Sequence, residues 1–143
     1  MSKQRYAEIM EQNMVHKNII LSHIPYSAIG LNILDYGGGT GCISKAIKNS
    51  KTNAHITYYD KDEDMLKIAR NNNAADIYIL EGQERLMKNA YDVIIMSSVL
   101  HELGEDWATY LENAVSRNLK SGGKIIIRDG YNFYGKYDST QLC

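Results

Sequence analysis

The chain has little of several things, and each shortage closes off a class of function. It has two cysteines, Cys42 and Cys143, which make neither a disulfide framework nor a metal site. It has one proline, Pro25, no internal repeat and no low-complexity tract. No apolar run approaches the ~20 residues of a membrane span. Met1-Ser2-Lys3-Gln4-Arg5 leads into polar sequence rather than a signal peptide. Charge of one sign is also missing. The 16 Lys and Arg against 17 Asp and Glu leave a formal net charge of -1, which gives no field for a large nucleic-acid footprint. A reducing, cytoplasmic setting is the expectation. With 44% hydrophobic and 23% charged residues, residues 1–143 read as one domain with a single core.

What is present is glycine, concentrated in one place. Ile33-Leu34-Asp35-Tyr36-Gly37-Gly38-Gly39-Thr40-Gly41 is an apolar run that stops in an acid and breaks into four glycines within five positions. It reads as a strand, a tight turn and a helix start, in which the main chain comes close to a ligand and the first N–H groups of the helix point at it. The register narrows the ligand. A dinucleotide fingerprint counted from Gly37 puts Cys42 where a third small residue belongs, and the Gly-Lys-Ser/Thr ending of a phosphate loop is absent.

The remaining pattern, Asp35-x-Gly37-x-Gly39-x-Gly41, resembles motif I of the class I S-adenosylmethionine-dependent methyltransferases. Further along, Asp60 ends the β-rich run Ala54-His55-Ile56-Thr57-Tyr58-Tyr59 and lies 19 residues beyond Gly41. A carboxylate there is placed to grip a ribose diol, as in dinucleotide folds; alternatively it caps the next helix. The stretch Asp60-Lys61-Asp62-Glu63-Asp64-Met65-Leu66 resembles the family's acid followed by a Met-Leu pair, and in that family the acid binds the ribose. At the third turn, Glu81-Gly82-Gln83-Glu84, Gln83 stands where family members commonly carry an acid near the adenine amino group; its carbonyl can still accept that hydrogen bond.

The order of elements follows. Helical spacing over Lys3 to His23 predicts one or two amphipathic helices that cover an end of the sheet, broken near Pro25. Strands are expected at Leu31 to Tyr36, Ala54 to Tyr59, Asp76 to Leu80, Tyr91 to Ser98 and Ile125 to Asp129, and helices at Thr40 to Asn49, from near Asp62, and at Glu105 to Leu119. Tyr91 to Ser98 is apolar without alternation, as a strand buried on both faces is. Lys120-Ser121-Gly122-Gly123-Lys124 is a glycine turn before the fifth strand. The resemblance covers residues 31–129, after an N-terminal helical cover at 1–28, and leaves 130–143 as a tail. It implies an α/β doubly wound, mainly parallel five-stranded sheet in the order 3-2-1-4-5, a Rossmann-like methyltransferase core.

The site it implies binds S-adenosyl-L-methionine with Asp35, Tyr36, Gly37, Gly38, Gly39 and Gly41 from the first turn. Asp60, Lys61 and Met65 follow from the second, Gln83 and Glu84 from the third, and Ser97 from the end of the fourth strand. His101 is the candidate base, since its ordinary pKa is near neutral, although a histidine there also suits a structural hydrogen bond. No metal is implied. The acceptor is unidentified, with a small molecule favoured, and the fifth strand's edge is expected to be shielded by the tail or by a second copy in a homodimer. An S-adenosylmethionine-binding subunit without activity, a lyase and a nicotinamide-dependent enzyme on a similar scaffold stay open.

Overall fold

A computed structural model describes residues 2–3, 14–24, 30–50 and 53–129. Most of the expected N-terminal helical stretch, Pro25 and the 130–143 tail lie outside the described residues, as do the side chains of Gln83 and His101.

The chain runs α1 (Met14–Ser22), β1 (Asn32–Tyr36), α2 (Cys42–Ser50), β2 (His55–Asp60), α3 (Glu63–Asn71), β3 (Ile77–Leu80), β4 (Tyr91–Ser97), α4 (Trp107–Asn113) and β5 (Leu119–Arg128). Short 3-10 turns occupy Gln83–Arg85 and Leu100–Asp106. All five strands pair in parallel in the order β3-β2-β1-β4-β5, so the expected topology is observed. The order reverses between β1 and β4. At such a switch point the loops leaving neighbouring strands diverge to opposite faces and open a crevice.

Alternate residues of the central strands supply two cores. Ile33 of β1 with Val93 and Ile95 of β4 join Ile20, Ile47 and Leu66 beneath α1, α2 and α3. Leu34, Ile94 and Met96 face the other way and join Leu100 and Ala114 beneath the 3-10 turn and α4. Each of these eleven residues is at most 5% exposed. A parallel strand buried on both faces has no polar face to alternate with, which explains the unbroken apolar run in β4.

The expected single helix over Glu105 to Leu119 is three pieces. Gly104, just before it, kinks the 3-10 stretch at φ 60, ψ -136; that stretch runs on to Asp106, and the regular α-helix begins only at Trp107. From Ala114 to Asn118 the coil widens to a π-helix. Its loosened carbonyls are satisfied from outside: Asn89 N–H donates to the Arg117 carbonyl at 2.7 Å and Ala90 N–H to that of Asn118 at 3.0 Å. The glycine turn at 120–123 is present as a bulge inside β5. Tyr91 pairs with Leu119 but Val93 with Lys124, so five steps on β5 match two on β4. Gly122 takes φ 81 there.

Ile95 is fully buried at the sheet centre. Ile95→Ala is expected to lower unfolding free energy by about 2–5 kcal/mol. Urea denaturation with an unchanged m-value checks this.

Candidate functional site

The crevice is built on the β1–α2 turn, and three of its glycines are held against protein. A Cβ on Gly37 would lie 2.5 Å from a Val99 methyl, one on Gly38 2.5 Å from the Tyr58 ring, and one on Gly41 2.6 Å from the Cβ of Ala74. Gly39 differs: at φ +57 the Cβ direction meets nothing within 4 Å. Three glycines therefore let the turn approach its own fold, and the fourth leaves a concave surface.

Hydrogen bonds fix the turn to β2. The N–H groups of Gly37 and Gly38 both donate to the Tyr59 carbonyl, at 2.7 and 3.0 Å, and the Tyr58 hydroxyl donates to the Gly39 carbonyl at 2.5 Å. Burial holds that phenol well above its ordinary pKa, so it remains a donor. Asp60 joins two loops. Its Oδ2 accepts from Gly39 N–H at 2.8 Å and its Oδ1 from Asp62 N–H at 2.9 Å. Asp62, not Asp60, caps α3, accepting from Asp64 N–H at 2.9 Å and Met65 N–H at 3.3 Å. Asp60 is thus left with lone pairs facing the crevice, since a carboxylate accepts about four hydrogen bonds. At the mouth, Lys3 Nζ lies 3.0 Å from Asp62 and 2.9 Å from Asp64.

Two adjoining clefts follow. A smaller one of about 150 Å³ runs along the glycine turn, with Asp35, Gly37, Gly38 and Gly39 on one side. Asp60, Lys61, Met65 and Ser97 close it. A larger one of about 530 Å³ opens beside it and takes in Tyr36, Gly37, Asp60, Lys61 and Glu84. The fold therefore brings together nearly all of the residues picked from sequence. Among those whose side chains are described, Gly41 is the exception, facing Ala69 and Ala74 instead. His101 lies in the 3-10 turn that follows β4.

Sequence reasoning missed part of the larger cleft. Tyr59, Glu81, Glu102 and Tyr110 also line it, and Glu102 lines both clefts. Glu81 was accessible from its place after β3. Glu102 lies on a 3-10 turn, where side-chain direction is not read from helical or strand periodicity. Tyr110 lies on α4 with no local signal. Burial first, then Tyr110, Glu81 and Glu84, raise the Tyr59 hydroxyl above its ordinary pKa. The Tyr36 and Tyr59 rings stack at 4.9 Å, tilted by 41°.

Asp35 is the electrostatic outlier. It is 1% exposed, and its Oδ2 accepts from the Ser44 hydroxyl at 2.6 Å. Desolvation raises its pKa from 3.8 to about 6, partly opposed by Ser44 and reinforced by Asp60. The wall opposite is also constrained. Ser98 has φ 58, uncommon for a residue with a side chain, and is held by its N–H to the Arg128 carbonyl at 2.7 Å and by Arg128 Nη1 to its Oγ at 2.8 Å.

A family model described as a methyltransferase domain matches residues 34–125, from the middle of β1 into β5. The chain belongs to that methyltransferase family. Among its curated relatives, bovine tRNA N(3)-cytidine methyltransferase METTL2 is 28% identical over 94% of this chain and 38% of its own length. Malonyl-[acyl-carrier protein] O-methyltransferase of Bacillus anthracis is 32% identical over 73% of this chain and 40% of its own. The chain thus spans about two fifths of these relatives. The fold is similar to that of a putative S-adenosyl-L-methionine-dependent methyltransferase from Methanococcus maripaludis, with TM-score 0.72 and 22% identity over 90% of this chain and 63% of that one. S-adenosylmethionine is the cofactor of this family. The concave surface at Gly39 and the buried carboxylate of Asp35 fit a ligand carrying an ammonium group.

A carboxyl pKa raised on folding stabilises the fold fully below pH 4 and loses that contribution as pH rises through 6. The difference between 3.8 and about 6 corresponds to roughly 3 kcal/mol of penalty at neutral pH. Asp35→Asn, which keeps an acceptor for Ser44, is therefore expected to match the ligand-free parent in stability near pH 4 and to exceed it by up to that amount at pH 7. Thermal unfolding across this range measures the gap, and a gap that shrinks toward neutral pH refutes the assignment.

Proposed function

We propose that residues 1–143 act as one S-adenosylmethionine-binding domain that transfers a methyl group to a small-molecule acceptor in the reducing cytoplasm. The observation that carries the reading is the turn itself. The four-glycine loop is packed on three sides and open at Gly39, with Asp35 beneath it and Asp60 across it. In this reading Gly37, Gly38, Gly39 and Gly41 form the turn that receives the methionine part, Asp35 meets its ammonium and Asp60 holds the ribose hydroxyls. Tyr36, Lys61, Met65 and Ser97 complete that half of the site. Glu84 and Gln83 stand at the adenine edge, and His101 remains the sequence's candidate base.

The sulfonium supplies an already electrophilic methyl, so the chain's residues have only to bind, align and exclude water. A small acceptor agrees with the net charge of -1, which gives no field for a large nucleic-acid footprint, and the cleft of about 530 Å³ beside the turn is roomy enough for the nucleoside part of the cofactor. The names of the relatives cover both a nitrogen and an oxygen acceptor, so kinship leaves that choice open. Cys42 is a free, buried thiol, in keeping with a reducing compartment, and no described helix is long and apolar enough to cross a membrane. A second copy of the chain across the β5 edge would shield Ile127, which is 46% exposed.

Calorimetric titration with S-adenosylhomocysteine tests the reading. Binding is expected with no response to NADH, and Asp60→Ala should weaken it at least a hundredfold with the circular dichroism spectrum retained, two hydrogen bonds to a charged group being worth roughly 1.5–3 kcal/mol each. Tight NADH binding, or unchanged affinity in the variant, removes the assignment. Cofactor breakdown without an acceptor points to a lyase instead.

A further inference from the structure

The near-neutral total hides an uneven distribution of charge. From Met14 to Tyr59 the chain carries four lysines, Lys17, Lys45, Lys48 and Lys51, against one acid, Asp35. That acid is buried at the cofactor cleft with Ser44 as its partner, and neither α1 nor α2 contains an acidic residue. Between these two helices lies a separate cleft of about 370 Å³, lined by Lys17, Asn18 and Leu21 of α1 and by Cys42, Lys45 and Asn49 of α2. The α2 residues form one stripe, since positions three, four and seven apart share a helix face. A stripe that meets another helix is ordinarily apolar; this one presents an ammonium and an amide, and α1 presents another of each. Lys17 is 8% exposed. Burial raises the Cys42 thiol above its ordinary pKa and the Lys17 charge partly opposes that rise, so Lys17 stands at the Cys42 end of the stripe. Among the described residues no hydrogen bond or ion pair engages the side chains of Asn18, Lys45 or Asn49.

We infer that the cleft between α1 and α2 is a second binding site, for a small phosphomonoester, with Lys17 and Lys45 holding the phosphate. The inference stands without the methyl-transfer reading. A phosphomonoester carries nearly two negative charges at neutral pH and three strongly accepting oxygens. Each ammonium offers three donors, so a lysine that already has one partner still has donors to give. Asparagine amides both donate and accept, which suits hydroxyl groups on the rest of the ligand. The volume is more than a bare ion fills and falls at the small end of ligand sites, which begin at roughly 300 Å³. The helix dipole sets the orientation. The carbonyl end of α2 lies at Ser50, which also lines the cleft, and its partial negative charge opposes an anion there. The phosphate therefore takes the Lys17 and Lys45 end, and the polar body of the ligand lies toward Asn49 and Ser50. Among the described residues Cys42 alone lines both this cleft and the cofactor cleft, so the two sites adjoin without sharing a charged group.

The test titrates glucose 6-phosphate and glucose into the whole chain in phosphate-free buffer at pH 7, followed by calorimetry and by amide NMR, with and without excess S-adenosylhomocysteine. Glucose 6-phosphate is expected to bind saturably and at least tenfold more tightly than glucose. It should shift the amide signals of Asn18, Lys45 and Asn49 rather than those of Gly37 to Gly39, and S-adenosylhomocysteine should change its affinity by less than threefold. Lys45→Glu should weaken it at least fivefold and Asn49→Asp at least twofold, both at exposed positions where circular dichroism is expected to be unchanged. The same charge reversal at Lys67, an exposed lysine of α3 that lies 3.8 Å from Glu63, should change it less than twofold. No saturable binding in the millimolar range, equal affinity for glucose, shifts confined to the glycine turn, or equal losses in Lys45→Glu and Lys67→Glu overturns the inference. A single-stranded tetranucleotide without a terminal phosphate that binds more tightly than glucose 6-phosphate, and loses affinity in Lys45→Glu, overturns it in favour of a nucleic-acid strand. Failure of S-adenosylhomocysteine to bind overturns the cofactor reading alone, since the phosphate probe and its NMR shifts are read without it.

Discussion

Everything at the cleft depends on how closely the β1–α2 turn can approach β2. Two successive N–H groups, those of Gly37 and Gly38, converge on the Tyr59 carbonyl, and a third, that of Gly39, reaches the Asp60 carboxylate. The approach is possible because side chains are missing where Val99 and the Tyr58 ring press in. Interiors are packed too tightly for an added methyl to be absorbed there without displacement. The same closeness aims the Gly39 N–H at the end of β2, so that one carboxylate sets both the turn and the start of α3 through Asp62 N–H. The loops leaving two neighbouring strands are thereby tied to one side chain.

That arrangement sets up an electrostatic tension. Asp35 is buried with the Ser44 hydroxyl as its neutral partner, near enough to Asp60 for the second charge to raise its pKa. A fold selected for stability alone would place an amide or an apolar side chain there, since a buried carboxylate without a cation is costly. On the proposed reading the ligand's ammonium would relieve that cost and convert it into affinity. Sites where local rules are broken in this way, with the surrounding fold over-determining the strained group, are characteristic of function.

Residue chemistry at short range was legible in the sequence; contacts made by remote elements were not. The glycine register, Asp35, and Asp60 at its strand end are all local signals, and the fold confirms the geometry around each of them. The parallel sheet followed from the alternation of strands with helices, and its order from the family resemblance. Three features escaped. The 3-10 start before Trp107 and the π-helical end from Ala114 break an apolar pattern that reads as one helix, because periodicity reports the buried face and not the backbone hydrogen-bond pattern. The β5 bulge reads as an inter-element turn, since nothing in Lys120 to Gly123 says that Leu119 still pairs with Tyr91. Glu102 and Tyr110 reach the cleft from a 3-10 turn and from α4, so their convergence is a property of the tertiary fold.

The wall after β4 joins the sheet edge to the chemistry. Ser98, in a left-handed conformation, is gripped by Arg128, the last residue of β5, from two directions, with the Arg128 carbonyl accepting from Ser98 N–H and its guanidinium donating to the hydroxyl. Ser97 pairs in register with the same Arg128. The path from Ser97 to Glu102 therefore takes its shape from β5, although β5 itself lines neither cleft. Among the described residues β5 is the outer strand of the sheet, with β4 as its one neighbour. The segment that carries Glu102, which lines both clefts, thus begins at residues held by the last residue of β5.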